Sequence, residues 1–158
     1  MNLAIIINRF CKITGATLKG VAYIIYFVFP KLRFTIPKIS KAKIKPSTNG
    51  LIPKIVWQTN YTNKVTLPVY INYLFNRLMS LDWEYRYVST EDRLEFIQKN
   101  APKNYVNAFE QLTDGASQAD FWRLFVLNHV GGVYMDIDAH AVLPLSKMIK
   151  PEYKELIL

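Results

Sequence analysis

From residue 51 onward the spacing of apolar and polar positions changes period several times, and each change predicts an element. Residues 51–59 are apolar and β-branched before they turn polar, which predicts a buried strand. Apolar residues at 67, 70, 71, 74, 75 and 78 keep a helical period entered at Pro68, so a helix is expected over 67–81. Residues 83–89 alternate and predict a second strand. Ser89 or Thr90 can cap the next helix, whose first turn carries Glu91 and Asp92 at its positive end. That helix runs through Leu94, Phe96 and Ile97 and stops before Pro102, and another is expected over 103–112. Asp114-Gly115 breaks the chain before a fourth helix, about 117–130, with Phe121, Leu124, Phe125 and Leu127 as much of its apolar surface. Gly131-Gly132 ends it, and residues 133–138 read as a closing strand. Strands alternating with helices define an α/β chain with parallel pairing.

Ahead of this unit lies a different kind of sequence, and charge is what separates the two. Residues 1–50 carry nine bases (Arg9, Lys12, Lys19, Lys31, Arg33, Lys38, Lys41, Lys43 and Lys45) and no acid. Residues 51–158 carry eleven bases and twelve acids, a net of −1, so the formal charge of +8 belongs to a leader. General nucleic-acid binding by the remaining 108 residues thereby loses its support, and no nucleic-acid partner is expected. The expected division is a leader over 1–45, a linker of turn residues over 46–50, and a globular domain over 51–158.

The leader's main apolar run, residues 21–29, is about half of the roughly 20 residues a spanning helix needs, and extension back to Ile13 takes in Lys19. It is therefore expected to lie in or against a membrane at the cytoplasmic face. Tyr23, Tyr26 and Phe27 would anchor at the interface, and the bases from Lys31 to Lys45 would face anionic headgroups. The competing reading is a solvated basic tail with one core helix. With 158 residues, 51% of them hydrophobic, the chain is neither disordered nor collagenous. One cysteine, Cys11, excludes a disulfide framework and a multi-thiolate zinc site.

In an α/β sheet, ligands bind beyond the carboxyl ends of the strands. The first strand delivers Trp57 and Gln58 there, and the last delivers Asp136 and Asp138. Residues two apart in a strand share a face, so both carboxylates are expected to project together. Like charges so placed need a cation or hydrogen-bond donors, and their natural use is to hold a hard divalent ion whose other ligands are water and phosphate. Asp120 and Arg123 share one face of the preceding helix. Plainer roles stay open: Trp57 and Tyr134 as packing groups, Asp120–Arg123 as a structural ion pair. His129 suits a helix C-terminus, and His140 is the histidine best placed for a catalytic or ligand role.

Three motifs then converge. Asp120-Phe121-Trp122-Arg123, Gly131-Gly132-Val133-Tyr134 and Asp136-Ile137-Asp138 follow one another at a specific spacing, behind the opening Ile52-Pro53-Lys54-Ile55-Val56-Trp57-Gln58. Together these stretches, roughly residues 51–146, resemble the sugar-nucleotide site of GT-A-fold glycosyltransferases. The likeness is to the family 32 group of mannosyl-, galactosyl- and capsular polysaccharide enzymes, and the glucosylating toxins look similar here. The resemblance implies a nucleotide-diphospho-sugar transferase sheet and Mn²⁺ or Mg²⁺ as cofactor. It implies Asp138 as the direct metal ligand and Asp136 as a contact to the donor and, more weakly, the metal. Asp120 and Arg123 would hold the donor sugar's hydroxyls. Trp57 and Gln58 would border the nucleobase, with Trp57 offering a face for stacking, and Tyr134 would support the ribose or sugar. The implied reaction is transfer of a hexosyl group from a nucleoside-diphosphate sugar to a glycan or lipid-linked saccharide, with retention of configuration.

In the family the chain continues well past the Asp-x-Asp strand to complete the acceptor and diphosphate sites. Here twenty residues follow Asp138, and 155–158 read as a strand cut at its end. A truncated, non-catalytic remnant or binding module is therefore the alternative expectation. A basic membrane- or nucleic-acid-binding protein without an enzyme site is a third class, which must treat residues 120–138 as coincidence.

Overall fold

The computed structural model describes residues 3–46 and 50–154. The strand expected over 155–158 and most of the expected linker lie outside the described residues. The order of elements is α1 (Leu3–Val28), β1 (Phe34–Thr35), β2 (Ile39–Ser40), β3 (Ile55–Thr59), β4 (Lys64–Val65), α2 (Leu67–Leu78), β5 (Glu84–Val88), α3 (Thr90–Asn100), α4 (Lys103–Glu110), α5 (Gly115–His129), β6 (Val133–Tyr134) and α6 (Leu145–Met148).

The main sheet has the order β2-β5-β3-β6, with β3 parallel to β5 and β6 and with β2 antiparallel on the β5 edge. It is thus a mixed sheet in an α/β chain. Alternation along the strands sends side chains to two cores. Val56, Tyr85 and Tyr87 pack with Tyr73 of α2 on one face. Trp57 packs with Ile97, Phe109, Trp122 and Val126 from α3, α4 and α5 on the other. Each connection between parallel strands is helical, as parallel pairing requires.

Local chemistry explains several boundaries. Ser89 accepts from the Asp92 amide while Asp92 accepts from the Ser89 amide, so a reciprocal capping box opens α3. Asp114 accepts from the amides of Ala116 and Ser117, which starts α5 at Gly115, two residues before the sequence expectation. The opening strand starts only at Ile55, after Pro53, whose carbonyl accepts from the Ile55 amide in a turn.

The leader is partly woven into the domain. β1 pairs with β4, β2 pairs with β5, and Ile36 between them is fully buried. The buried Arg77 guanidinium of α2 donates to the carbonyls of Lys41, Ser80 and Trp83, which ties residue 41 to the turn after α2. Residues 34–40, assigned to the leader from sequence, therefore contribute strands and core to the globular unit. Ahead of them, α1 is one continuous helix of 26 residues. Its stretch Arg9–Val28, with mean hydropathy 1.2, is long and apolar enough to cross a membrane by length and composition. The run of residues 21–29 expected from sequence is shorter because extension takes in Lys19, which does not break the helix.

Candidate active site

β3 and β6 run side by side, with Trp57 opposite Tyr134, so their carboxyl ends open at one edge of the sheet. The ladder extends one step further, since the Met135 amide donates to the Trp57 carbonyl at 3.0 Å. There the strand expected over 133–138 ends. Residues 137 and 138 form a turn closed by the Ala139 amide on the Asp136 carbonyl at 3.1 Å. Asp136 and Asp138 thus sit at the start and the third position of a tight turn, and a strand's twofold alternation does not govern them. Both carboxylates are exposed.

Three buried amide side chains fix this turn. Gln58 Nε2 donates to the Asp136 carbonyl at 2.9 Å. Asn72 Nδ2 donates to the carbonyls of Ile137 and Ala139, at 2.8 and 2.7 Å. Asn76 Nδ2 donates to the Ala139 carbonyl at 2.8 Å, and its Oδ1 accepts from the Ala141 amide at 2.9 Å. A turn carrying two carboxylates leaves carbonyls unpaired at the sheet edge, and buried carbonyls left unpaired are costly. Asn72 and Asn76, one helical turn apart on α2, were missed in the sequence reading. Their signal was two asparagines at i and i+4 in a helix, a spacing that places them on one face.

The charged residues meet across the gap between α5 and the turn. Arg123 Nη2 lies 2.7 Å from Asp120 Oδ1, and Arg123 Nη1 lies 3.8 Å from Asp136 Oδ1. The same guanidinium stands 5.4 Å from the centre of the Tyr134 ring. Burial first, and then the neighbouring Asp136 carboxylate, push the Tyr134 hydroxyl up to about 12, so it is a neutral donor at any ordinary pH. Asp120, Arg123, Tyr134 and Asp136 therefore form one cluster. Asp138 is set at its end, and its backbone carbonyl accepts from Lys19 Nζ of α1 at 3.0 Å.

Other expected residues take different places. Trp57 is 2% exposed. Its Nε1 donates to the Gly131 carbonyl at 2.9 Å, Trp122 and Phe96 meet it edge-on, and Arg86 covers its ring at 4.9 Å. No face is left for a nucleobase, so the stacking role expected of Trp57 is replaced by a packing role. Gln58 is likewise buried and holds the turn instead of bordering a base. On α5 the buried stripe is Trp122 and Val126, while Leu124, expected to pack, is exposed. His129 stacks on Phe125 with ring centres 5.5 Å apart. His140 lies edge-on to Phe75 beside α1; burial lowers its pKa, and the charges of Lys19 and Lys12 lower it further. At the exit of β3, Tyr61, which the sequence suggests as one of the core or interface aromatics, is 75% exposed.

The acidic pair is a set of hard oxygen donors, which fits a divalent ion such as Mg²⁺ or Mn²⁺. Among the described residues no third His, Cys, Asp or Glu joins it. Such an ion would take most of its shell from water and from a ligand's oxygens.

A folded α/β domain with an acidic turn at the carboxyl edge of its parallel strands, and an Asp–Arg pair beside it, defines a class. The chain belongs to the family described as the glycosyltransferase sugar-binding region containing the DXD motif, which its residues 68–155 match. It is 32% identical over 125 residues to mannosyl phosphorylinositol ceramide synthase SUR1 of Saccharomyces cerevisiae, covering 73% of this chain and 32% of that protein. It is 30% identical over 102 residues to mannosyl phosphorylinositol ceramide synthase CSH1 of the same yeast, covering 63% of this chain and 26% of that one. The aligned part thus spans about a third of the first relative and about a quarter of the second. No solved structure matches the chain.

Proposed function

We propose that this chain carries the donor site of a GT-A-type glycosyltransferase, of the family 32 kind, that moves a hexose from a nucleoside-diphosphate sugar to a glycan or lipid-linked acceptor. The supporting observation is the cluster of Asp120, Arg123, Tyr134 and Asp136 at the carboxyl edge of β3 and β6, inside the matching region. Exposed ion pairs contribute about 0–1 kcal/mol, so stability does not account for an arginine set between two acids there. A polar recognition site does.

In this reading Asp120 and Arg123 hold donor hydroxyls, with Tyr134 alongside. Asp138 and, more weakly, Asp136 would hold Mn²⁺ or Mg²⁺, which would supply positive charge to stabilise a nucleoside diphosphate leaving group. The bond from the anomeric carbon to the diphosphate oxygen breaks, the acceptor hydroxyl's oxygen bonds to that carbon, and its proton passes to the departing diphosphate. Retention of configuration is the outcome carried by the resemblance. Tyr61 supplies the exposed aromatic face that Trp57 lacks and stacks on the nucleobase. The relatives' names point to an inositol-phosphate lipid as one acceptor of this type, and α1 brings the domain to a membrane surface. Placement at the cytoplasmic face rests on the leader's charge alone.

Calorimetric titration of uridine or guanosine diphosphate, with and without Mn²⁺, tests the site. Mn²⁺ is expected to tighten binding by at least about tenfold, the equivalent of ~1.4 kcal/mol. Asp138→Asn should abolish that gain with the fold intact, and Tyr61→Ala should weaken nucleotide binding in both conditions. Metal-independent binding that is unchanged in Asp138→Asn would mean the acidic turn has another purpose. Turnover of a sugar nucleotide separates the enzyme from a binding module.

A further inference from the structure

Helix α2 leaves part of its apolar pattern uncovered. The residues it buries are Pro68, Asn72, Tyr73, Asn76 and Arg77, while the apolar Leu74 and Leu78 point outward, 44% and 61% exposed. Val69 and Tyr70 pack on the core, and Ile71 and Phe75 lie against Gly15 and Leu18 of α1, so the stripe left over is Leu74 and Leu78. Beside that stripe lies α1, packed through Cys11, Gly15 and Ala22, with Phe10, Ile13, Ile24 and Phe27 exposed. The α1 ammonium of Lys19 is bonded to the Asp138 carbonyl, and Lys12 lies close enough to act on His140.

A helix that crossed a bilayer could not keep its middle bonded to the surface of a domain outside that bilayer. Along α1 and α2, apolar residues are accompanied by bases only. α1 carries Arg9, Lys12 and Lys19, and α2 carries the buried Arg77, with no acid on either. A second copy docking on this face would bring like charges together. Anionic headgroups above acyl chains match both its apolar and its basic parts.

We propose that α1 and α2 form a single membrane-docking face on which α1 lies in the plane of an anionic bilayer, Leu74 and Leu78 entering it beside the exposed side of α1. The acidic turn, held by the inner side of α2 and by Lys19, is then carried at headgroup level. This deepens the membrane reading above by adding α2 and by fixing α1 as interfacial. Docking is measured without nucleotide or metal, so its failure and a failure of the donor site are separate results.

The test is co-sedimentation of the full chain with phosphatidylcholine vesicles, with and without phosphatidylserine. Binding should require phosphatidylserine, weaken as salt rises, and be released by alkaline carbonate. Leu74→Asp/Leu78→Asp should lower binding by about tenfold or more, since each leucine's burial in lipid is replaced by a charge. Leu124→Asp, at an exposed site of α5 packed on the other face of the sheet, should leave binding unchanged. If circular dichroism finds the double variant unfolded, Leu78→Asp alone serves, because Leu78 is the more exposed of the two. Unchanged binding of the α2 variants would overturn the proposal. So would carbonate-resistant insertion, or self-association in vesicle-free solution that the same substitutions remove.

Discussion

At the scale of single residues, the acidic turn depends less on its acids than on three neutral amides. Gln58, Asn72 and Asn76 donate to the carbonyls of residues 136, 137 and 139 and are nearly inaccessible. Asn76 both donates and accepts, so Asn76→Ala orphans the Ala141 amide, while the Ala139 carbonyl keeps its bond from Asn72. The expected loss is about 1–3 kcal/mol per orphaned buried group, read as a lower urea midpoint. Donor binding should weaken in parallel, and Asn76→Asp, which keeps the acceptor for the Ala141 amide, should be the milder change at pH values that protonate it. The acids themselves were legible from sequence because their motif is local. Gln58 was legible at the carboxyl end of its strand but not as a donor to the Asp136 carbonyl, because position along a strand says nothing about what already lies beside it. Trp57 shows the same limit: its ring is flat and well placed in sequence, yet Arg86 and Trp122 from distant segments cover it.

At the scale of elements, periodicity located the helices well and their orientation poorly. α2 begins at Leu67 as expected, but two of its apolar positions, Leu74 and Leu78, face outward while the polar Asn72 and Asn76 are buried. Hydrophobic period reports which side is apolar, and here a polar task on the inner side outranked it. The capping residue Ser89 acts locally and was readable, whereas Asp114 reads only as a break in the chain; the two-residue strands β1, β2 and β4 have too few positions to show any period. The join between α5 and β6 offers a sharp test. Gly132 has φ +102, and a Cβ there would stand 2.6 Å from the Ile55 carbonyl and 3.0 Å from Trp57 Nε1. Gly132→Ala should therefore cost at least about 1–3 kcal/mol from backbone strain alone. It should also splay β6 from β3, which thermal unfolding and donor titration would both register. Gly115→Ala is the control, since a Cβ at that first residue of α5 meets nothing within 4 Å.

At the scale of the whole molecule, two acids bind distant parts together. Asp82 accepts from Ser146 Oγ at 2.6 Å and from Lys54, joining the α2–β5 turn to β3 and α6. Asp92 accepts from Lys38 at 2.6 Å, joining α3 to the segment ahead of β2. Burial alone would raise both carboxyl pKa values. Hydrogen bonds from Lys54 and Ser146 to Asp82, and from Lys38 and Ser89 to Asp92, outweigh it and hold both below the usual range. Because the folded values are depressed, both acids stabilise the fold above their unfolded pKa of about 4, and that contribution fades as pH falls through the folded values. Stability should be level near neutrality and drop below about pH 4, and Asp82→Asn should flatten part of the drop. Chemical denaturation at a series of pH values measures both.

The amide clamp also fixes the order in which the chain can become itself. Every partner of the acidic turn on β3 and α2 precedes it by 63 to 78 residues. β3 likewise waits for both of its parallel neighbours. Loops of that size must close before their contacts return any free energy, and folding slows accordingly. The helices, which need only local contacts, can form first, with α1 and α2 carrying their apolar sides uncovered. Stopped-flow refolding should show helical ellipticity well ahead of burial of the tryptophans. The acidic turn would then be the last part of the molecule to take shape, assembled on a scaffold that is already standing.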